Sequence, residues 1–155
     1  MNCCSSASAI AVQSDRRIAE RDLRRYRRRG PDSTTRLLLS ELGRWPLRGA
    51  EVLDIGGGIG VIGMELASAL RMAIHVEAAP AYLEVARRQL TQRLGADRAR
   101  FLQGDFVSIA DTVPRADVVT LDRVVCCYAD ASALLKQAAA KARRLLVFSY
   151  PRAAA

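Results

Sequence analysis

Apolar positions along this chain switch between a helical and a strand-like spacing, and the switches mark out the elements. Residues 15–29 carry Ile18, Leu23 and Tyr26 as the few apolar anchors of a strongly charged helix, which Gly30-Pro31 stops. Ser33 or Thr34 is placed to cap a short second helix with Leu37, Leu38, Leu39 and Leu42, and Gly43 to end it. Residues 51–55 then read as a buried strand, followed by glycines and a helix with Ile62, Leu66 and Leu70 on one face. A second strand is expected at 73–77. Pro80 opens the next helix, whose Leu83, Ala86, Leu90 and Leu94 form one stripe before Gly95. Further strands are expected at 100–102, 116–121 and 145–148, with an alanine-rich helix at 131–143 between the last two.

Strands alternating with helices predict an α/β, doubly wound, mostly parallel sheet of about five strands with helices on both faces. One or two helices within residues 15–43 precede a core at 50–150, and 15–155 reads as a single domain. Residues 1–14 are small and polar, and a frayed terminus is expected there.

The length of 155 residues suits one buried core, and 50% apolar with 26% charged residues is the composition of a globular protein. The formal charge of +8 comes almost wholly from arginine, since Lys136 and Lys141 are the only lysines. An anionic partner fits that balance, but the arginines are spread along the chain as well as clustered. That spread favours a general compositional bias. The four cysteines form two adjacent pairs, Cys3-Cys4 and Cys126-Cys127, without the gap of a zinc knuckle or a redox motif. Adjacent cysteines are poor disulfide partners, so a reducing cytoplasm is expected. No run approaches the ~20 apolar residues of a membrane span, and the first basic residues, Arg16 and Arg17, follow the weakly apolar start rather than precede it, the wrong order for a secretory signal.

The candidate chemistry gathers at strand ends. Asp54 closes the first strand and feeds Gly56, Gly57, Gly58 and Gly60, a turn where backbone can approach a ligand without side chains in the way. Gly58, Gly60 and Gly63 also satisfy the dinucleotide-binding fingerprint, so a nicotinamide or flavin reading stands beside any other. Asp54 itself has no role in such a dinucleotide loop. Glu77, with Ala78 beside it, ends the second strand, where a carboxylate can accept from both hydroxyls of an adenosine ribose; that feature serves either cofactor. After the third strand, Asp105 can accept from an adenine amino group, and Phe106 offers an apolar wall for its ring.

In order and separation these motifs resemble those of class I S-adenosylmethionine-dependent methyltransferases, which have a Rossmann-like core. Residues 51–60 look like the family's first motif, and 75–77 with 82–87 are similar to its second strand and following helix. Residues 104–106 resemble the adenine-contacting motif, and 116–123 the fourth-strand motif. The resemblance implies S-adenosylmethionine as cofactor. Asp54 and the backbone at Gly56, Gly58 and Gly60 would hold its amino-acid end and ribose, Glu77 the ribose hydroxyls, and Asp105 with Phe106 the adenine. Leu121 and Asp122 would lie near the sulfonium, with Asp122 the candidate catalytic contact to the acceptor, and Tyr26 would close over the methionine end.

The resemblance further implies methyl transfer to a small-molecule acceptor of unidentified kind. Competing readings are a cofactor-binding module without activity, an RNA methyltransferase using the eight arginines between Arg16 and Arg29, and a nicotinamide-dependent oxidoreductase. His75, the single histidine, reads as a packed strand residue. Cys126 and Cys127 fall where the cleft is expected; a thiol nucleophile or soft-metal site is conceivable there, but plain apolar packing is favoured. No resident metal is expected. The family's last two, antiparallel strands have no counterpart after residue 150, so the fifth strand is expected to leave an open edge, and a homodimer through that edge follows as a hypothesis.

Overall fold

The computed structural model describes residues 16–151, so the expected frayed segment and the Cys3-Cys4 pair lie outside the described residues. Five strands form one sheet of order β3-β2-β1-β4-β5: β1 (Glu51–Ile55), β2 (Met72–Glu77), β3 (Ala99–Gln103), β4 (Ala116–Leu121) and β5 (Ala142–Phe148). Every neighbouring pair is parallel. The order reverses between β1 and β4, and the crevice above that reversal is where open α/β sheets bind ligands.

Helices α1 (Arg16–Arg29), α2 (Ser33–Leu42), α3 (Val61–Leu66) and α4 (Pro80–Leu94) lie on one side of the sheet; the short α5 (Phe106–Ile109) and α6 (Ala131–Lys141) lie on the other. Strand alternation sorts the core between them. Val52, Ala73 and Val118 face the first layer, with Leu23, Leu42, Ile62 and Leu90 packed over them. Leu53, Ile55, Val76, Val119 and Leu121 face the second, against Phe106, Val113, Leu134 and Ala138. Asp54 shares the parity of Val52. Its side chain is therefore buried under the α1–α4 layer.

Several local expectations change. On α1 the buried stripe is Ala19, Leu23 and Tyr26, with Ile18 only half-buried. Asp32, not Ser33 or Thr34, caps α2 by accepting from the Thr35 N–H at 3.0 Å, and Leu37 turns outward, 74% exposed. α3 stops at Leu66, short of Leu70, because the next carbonyls are taken from afar: Arg98 donates to Ala67 O and Leu70 O, and Gly49 N–H to Ala69 O. The last helix ends at Lys141 and β5 starts at Ala142, three residues before the apolar run. β5 forms one edge of the sheet, with Phe148 exposed at its end. No helix among the described residues is long and apolar enough to cross a membrane.

Candidate functional site

The C-terminal tips of β1, β2, β4 and β5 open into a cavity of about 1190 Å³, roofed by α1 and α2. Its floor is the loop Gly56-Gly57-Gly58. A Cβ on Gly57 would stand 2.2 Å from Asp54 Oδ2 and 2.6 Å from His75 Cε1, so only glycine fits where the loop crosses the β1 and β2 tips. Gly58 holds φ +57, and the space beyond it is open, with Tyr82 the nearest atom at 3.8 Å. Gly60 and Gly63 serve another end: they let Leu90 of α4 approach the start of α3.

Asp54 sits at the bottom. One carboxylate oxygen accepts from the Thr120 hydroxyl on β4 at 2.8 Å, and the other, Oδ2, is buried with no hydrogen-bond partner. Burial raises its pKa to about 7; the Thr120 bond opposes that rise, and the nearby charges of Asp122 and Glu77 add to it. His75, on β2 directly beside Asp54 in register, is buried too, and burial lowers its pKa to about 4, so it is neutral. Its Nε2 lies 3.1 Å from the carbonyl oxygen of Gly58, which places the proton there and leaves Nδ1 an acceptor.

Glu77 closes β2 with both oxygens engaged, accepting from Gly58 N–H and Ala79 N–H at 2.9 Å each. Burial nonetheless raises its pKa, the backbone donors working against that rise. The carboxylate thereby locks the glycine loop to the β2 tip and still lines the cavity.

The roof is pinned by side chains of distant origin. Tyr82 donates to Asp22 of α1, and Tyr26 of α1 donates to Glu65 of α3. Burial first, then Glu65, pushes the Tyr26 hydroxyl up to about 12, so it stays a donor. On the α2 side, Asp122 accepts from the Thr35 hydroxyl and, at 2.9 Å, from the Ser149 hydroxyl beyond β5. Arg123, with φ +58 the one non-glycine in the left-handed region among the described residues, pairs with Asp32 at 2.6 Å and donates its N–H to Ser149 Oγ at 2.7 Å. Two adjacent residues after β4 thus tie together the sheet, β5's end and the cap of α2.

Of the residues singled out in the sequence, Tyr26, Asp54, Gly56, Gly58, Glu77 and Asp122 line this one cavity. Gly60, Ala78, Asp105, Phe106 and Leu121 do not. Phe106 is 3% exposed and packs into the lower core, so it presents no face to the cavity. Asp105 is engaged by the Tyr128 hydroxyl at 2.7 Å and the Ser108 hydroxyl at 2.8 Å. Leu121 is wholly buried. Sequence reasoning passed over Thr120, Tyr82, Asp22 and Arg123. Thr120 carried a usable signal, a polar side chain set between Val119 and Leu121 near the end of β4. The others are recruited across 26 to 91 positions of chain and leave no local trace.

Residues 47–153 match a protein family described as a methyltransferase domain. No curated protein matches the chain. Among solved structures, the chain is similar to magnesium protoporphyrin IX methyltransferase from Synechocystis PCC 6803. With S-adenosylhomocysteine bound to that enzyme, the likeness is 22% identity and TM-score 0.61 over 75% of this chain and 53% of that one. With S-adenosylmethionine bound, it is 21% and 0.64 over 86% and 63%. It is also similar to precorrin 8W decarboxylase from Methanobacterium thermoautotrophicum, at 22% identity and TM-score 0.59 over 74% and 60%. These likenesses establish the fold. The chain spans 53% to 63% of the length of these matched structures.

Proposed function

The chain belongs to the methyltransferase-domain family, and from that membership we propose that its cavity binds S-adenosylmethionine and presents the methyl group to a small-molecule acceptor. One observation carries the reading: the buried Asp54 Oδ2, unpartnered at the base of a cavity floored by side-chain-free backbone. A buried carboxylate oxygen without a donor is costly, and a shift of the glycine loop that let a ligand's ammonium or hydroxyl donor reach it would satisfy it. The donor set fits the cofactor in other respects. In the cavity lining Asp22, Asp32, Glu41, Glu77 and Asp122 outnumber Arg25 and Arg123, which favours a cationic ligand, while the open side of Gly58 leaves room beside the loop backbone.

Bound there, the cofactor supplies a methyl group on a sulfonium, which leaves readily in an in-line displacement. The protein's own share is then alignment and exclusion of water. Glu77, beside Ala78, would receive the ribose hydroxyls on its remaining lone pairs while Gly58 and Ala79 N–H fix its orientation. Asp54 would orient the amino-acid end with Gly56, Gly58 and Gly60 shaping the loop, and Tyr26 would cover it. Asp122 is held at both oxygens by Thr35 and Ser149, which fixes it as a side chain that would position an acceptor. On that side Leu37, Phe148 and Tyr150 line the wall as exposed apolar surface, which suits an acceptor with an apolar body. Asp105 and Phe106 stay candidates for the adenine end through a rearrangement of the loop after β3, and Leu121, at the end of β4, for the sulfonium end through its backbone. We place the protein in the reducing cytoplasm, with dimerisation through β5 as an added proposal that sedimentation at micromolar concentration tests.

Calorimetric titration with S-adenosylhomocysteine tests the cofactor assignment. Saturable binding of one equivalent is expected, with none for a nicotinamide dinucleotide. Heat with the dinucleotide alone, or silence toward S-adenosylhomocysteine at millimolar levels, overturns it.

A further inference from the structure

Cys126 and Cys127 take no part in the proposed transfer, yet both line the cavity, half-buried, with their sulfurs 3.4 Å apart. Adjacent side chains on a strand would point to opposite faces. Here the left-handed backbone at Arg123 turns the chain out of β4, and a single 3-10 turn, Val125–Cys127, follows. That turn is closed by Cys127 N–H on Val124 O at 3.0 Å. The strained residue is itself fixed by Asp32 and Ser149, so the turn that brings both sulfurs to one side is built into the frame of the site. The pair also adjoins the glycine loop, since a Cβ on Gly56 would strike Val124 at 2.7 Å.

We propose that Cys126 and Cys127 form a two-thiol chelating site for a single thiophilic trivalent centre of the arsenite class, open to the cavity. The spacing favours that chemistry. With bonds to sulfur of about 2.3 Å, a separation of 3.4 Å subtends roughly 95° at the bound centre. That angle is narrower than a tetrahedral ion prefers and suits a pyramidal three-coordinate centre that keeps a lone pair. The ligand count agrees: among the described residues no three His, Cys, Asp or Glu side chains gather to hold a metal ion, so the four-ligand set of structural zinc is not there. Phe148 and Tyr150 give the same cavity an exposed apolar wall. The site stands whether or not the cavity takes S-adenosylmethionine.

Phenylarsine oxide is the probe. Its capture forms two arsenic–sulfur bonds, and the two thiol protons leave with the arsenic-bound oxygen as one water; no electron changes hands. The full chain with Cys3→Ser and Cys4→Ser removes the other adjacent pair from the measurement. Intact-mass analysis of that protein is expected to show one adduct that survives excess 2-mercaptoethanol and is stripped by 2,3-dimercaptopropanol. Adding Cys126→Ser or Cys127→Ser leaves one-point attachment, and half-saturation is expected to move up by roughly 100-fold. Should either variant fail to fold by circular dichroism, alkylation mapping of the loaded parent replaces it, with both Cys126 and Cys127 protected from iodoacetamide. An adduct washed off by the monothiol, equal retention in the single variants, or free alkylation of both residues in the loaded protein overturns the proposal.

Discussion

Asp54 Oδ2 and His75 Nδ1 face each other across 4.0 Å in the protein interior, and neither has a hydrogen-bond partner. Burial disfavours the charged form of each, so the two groups depart from their ordinary behaviour in opposite directions, Asp54 to about 7 and His75 to about 4. The pair is therefore a neutral acid beside a neutral base near neutrality, poised to change charge when a cationic or hydrogen-bonding ligand arrives.

Their contributions to the pH dependence of stability oppose each other. Asp54 holds its proton in the folded state from 3.8 to about 7, so its contribution is full at low pH and is lost as pH rises through that window. His75 refuses a proton that the unfolded chain takes between about 4 and 6.5, so its contribution grows as pH rises through that range. In the wild type the two slopes largely cancel. Asp54→Asn is expected to uncover a melting temperature that climbs from pH 4 to 6.5, and His75→Gln one that falls over the same interval. Thermal melts of both variants at several pH values check the signs, and parallel curves would refute the pairing.

The strands were readable because parallel strands buried on both faces are near-continuous apolar runs: Val52-Leu53, Ile74 to Val76, Val118-Val119. The glycine loop was readable because a turn needing backbone approach has few alternatives to glycine. What escaped was set by partners far along the chain. α3 ends where Arg98, some thirty positions later, takes the carbonyls of Ala67 and Leu70 just beyond it. Asp32 wins the cap of α2 with Arg123 as a partner 91 positions on. Phe106 looked like a cofactor wall because its position matched a motif, but an apolar side chain opening a short helix above the sheet is drawn into the core.

The two central glycines separate steric need from conformational need. Gly57→Ala puts a Cβ 2.2 Å from Asp54 Oδ2 and 2.6 Å from the His75 ring, both buried and immobile. A loss of about 1–3 kcal/mol is expected, as for overpacked interiors. Gly58→Ala meets nothing closer than 3.8 Å, and its cost is the left-handed backbone at φ +57, about 1–2 kcal/mol. Denaturant midpoints should rank Gly57→Ala below Gly58→Ala, with S-adenosylhomocysteine affinity reduced most in Gly57→Ala.

Glu77→Ala tests the proposed ribose contact and the loop lock together. Removing charge-assisted hydrogen bonds to a ligand is expected to weaken S-adenosylhomocysteine binding by about 1.5–3 kcal/mol. The same change strips Gly58 N–H and Ala79 N–H of their acceptor, so the melting temperature should fall as well. Glu77→Gln keeps one carbonyl oxygen for one of those amides and should recover part of the stability but less of the affinity. Calorimetry well below each variant's melting temperature separates the two effects.

Arg123 offers a test of how much the strap between β4 and α2 matters. Its side chain is 57% exposed, so the ion pair with Asp32, despite its 2.6 Å length, is worth only about 0–1 kcal/mol after solvent screening. Its backbone at φ +58 costs about 1–2 kcal/mol that a glycine would not incur. Arg123→Gly should therefore leave global stability within about 1 kcal/mol of wild type, the two terms offsetting. The local consequence differs. Without the guanidinium, the N-terminus of α2 loses one of its two ties to the β4 tip, and only Thr35 on Asp122 holds it there. Hydrogen exchange at Thr35 to Leu38 should quicken while exchange in β1 and β4 stays as it was. A wild-type exchange pattern in α2 together with a large loss of stability would mean that Arg123 supports the sheet and not the roof of the cavity.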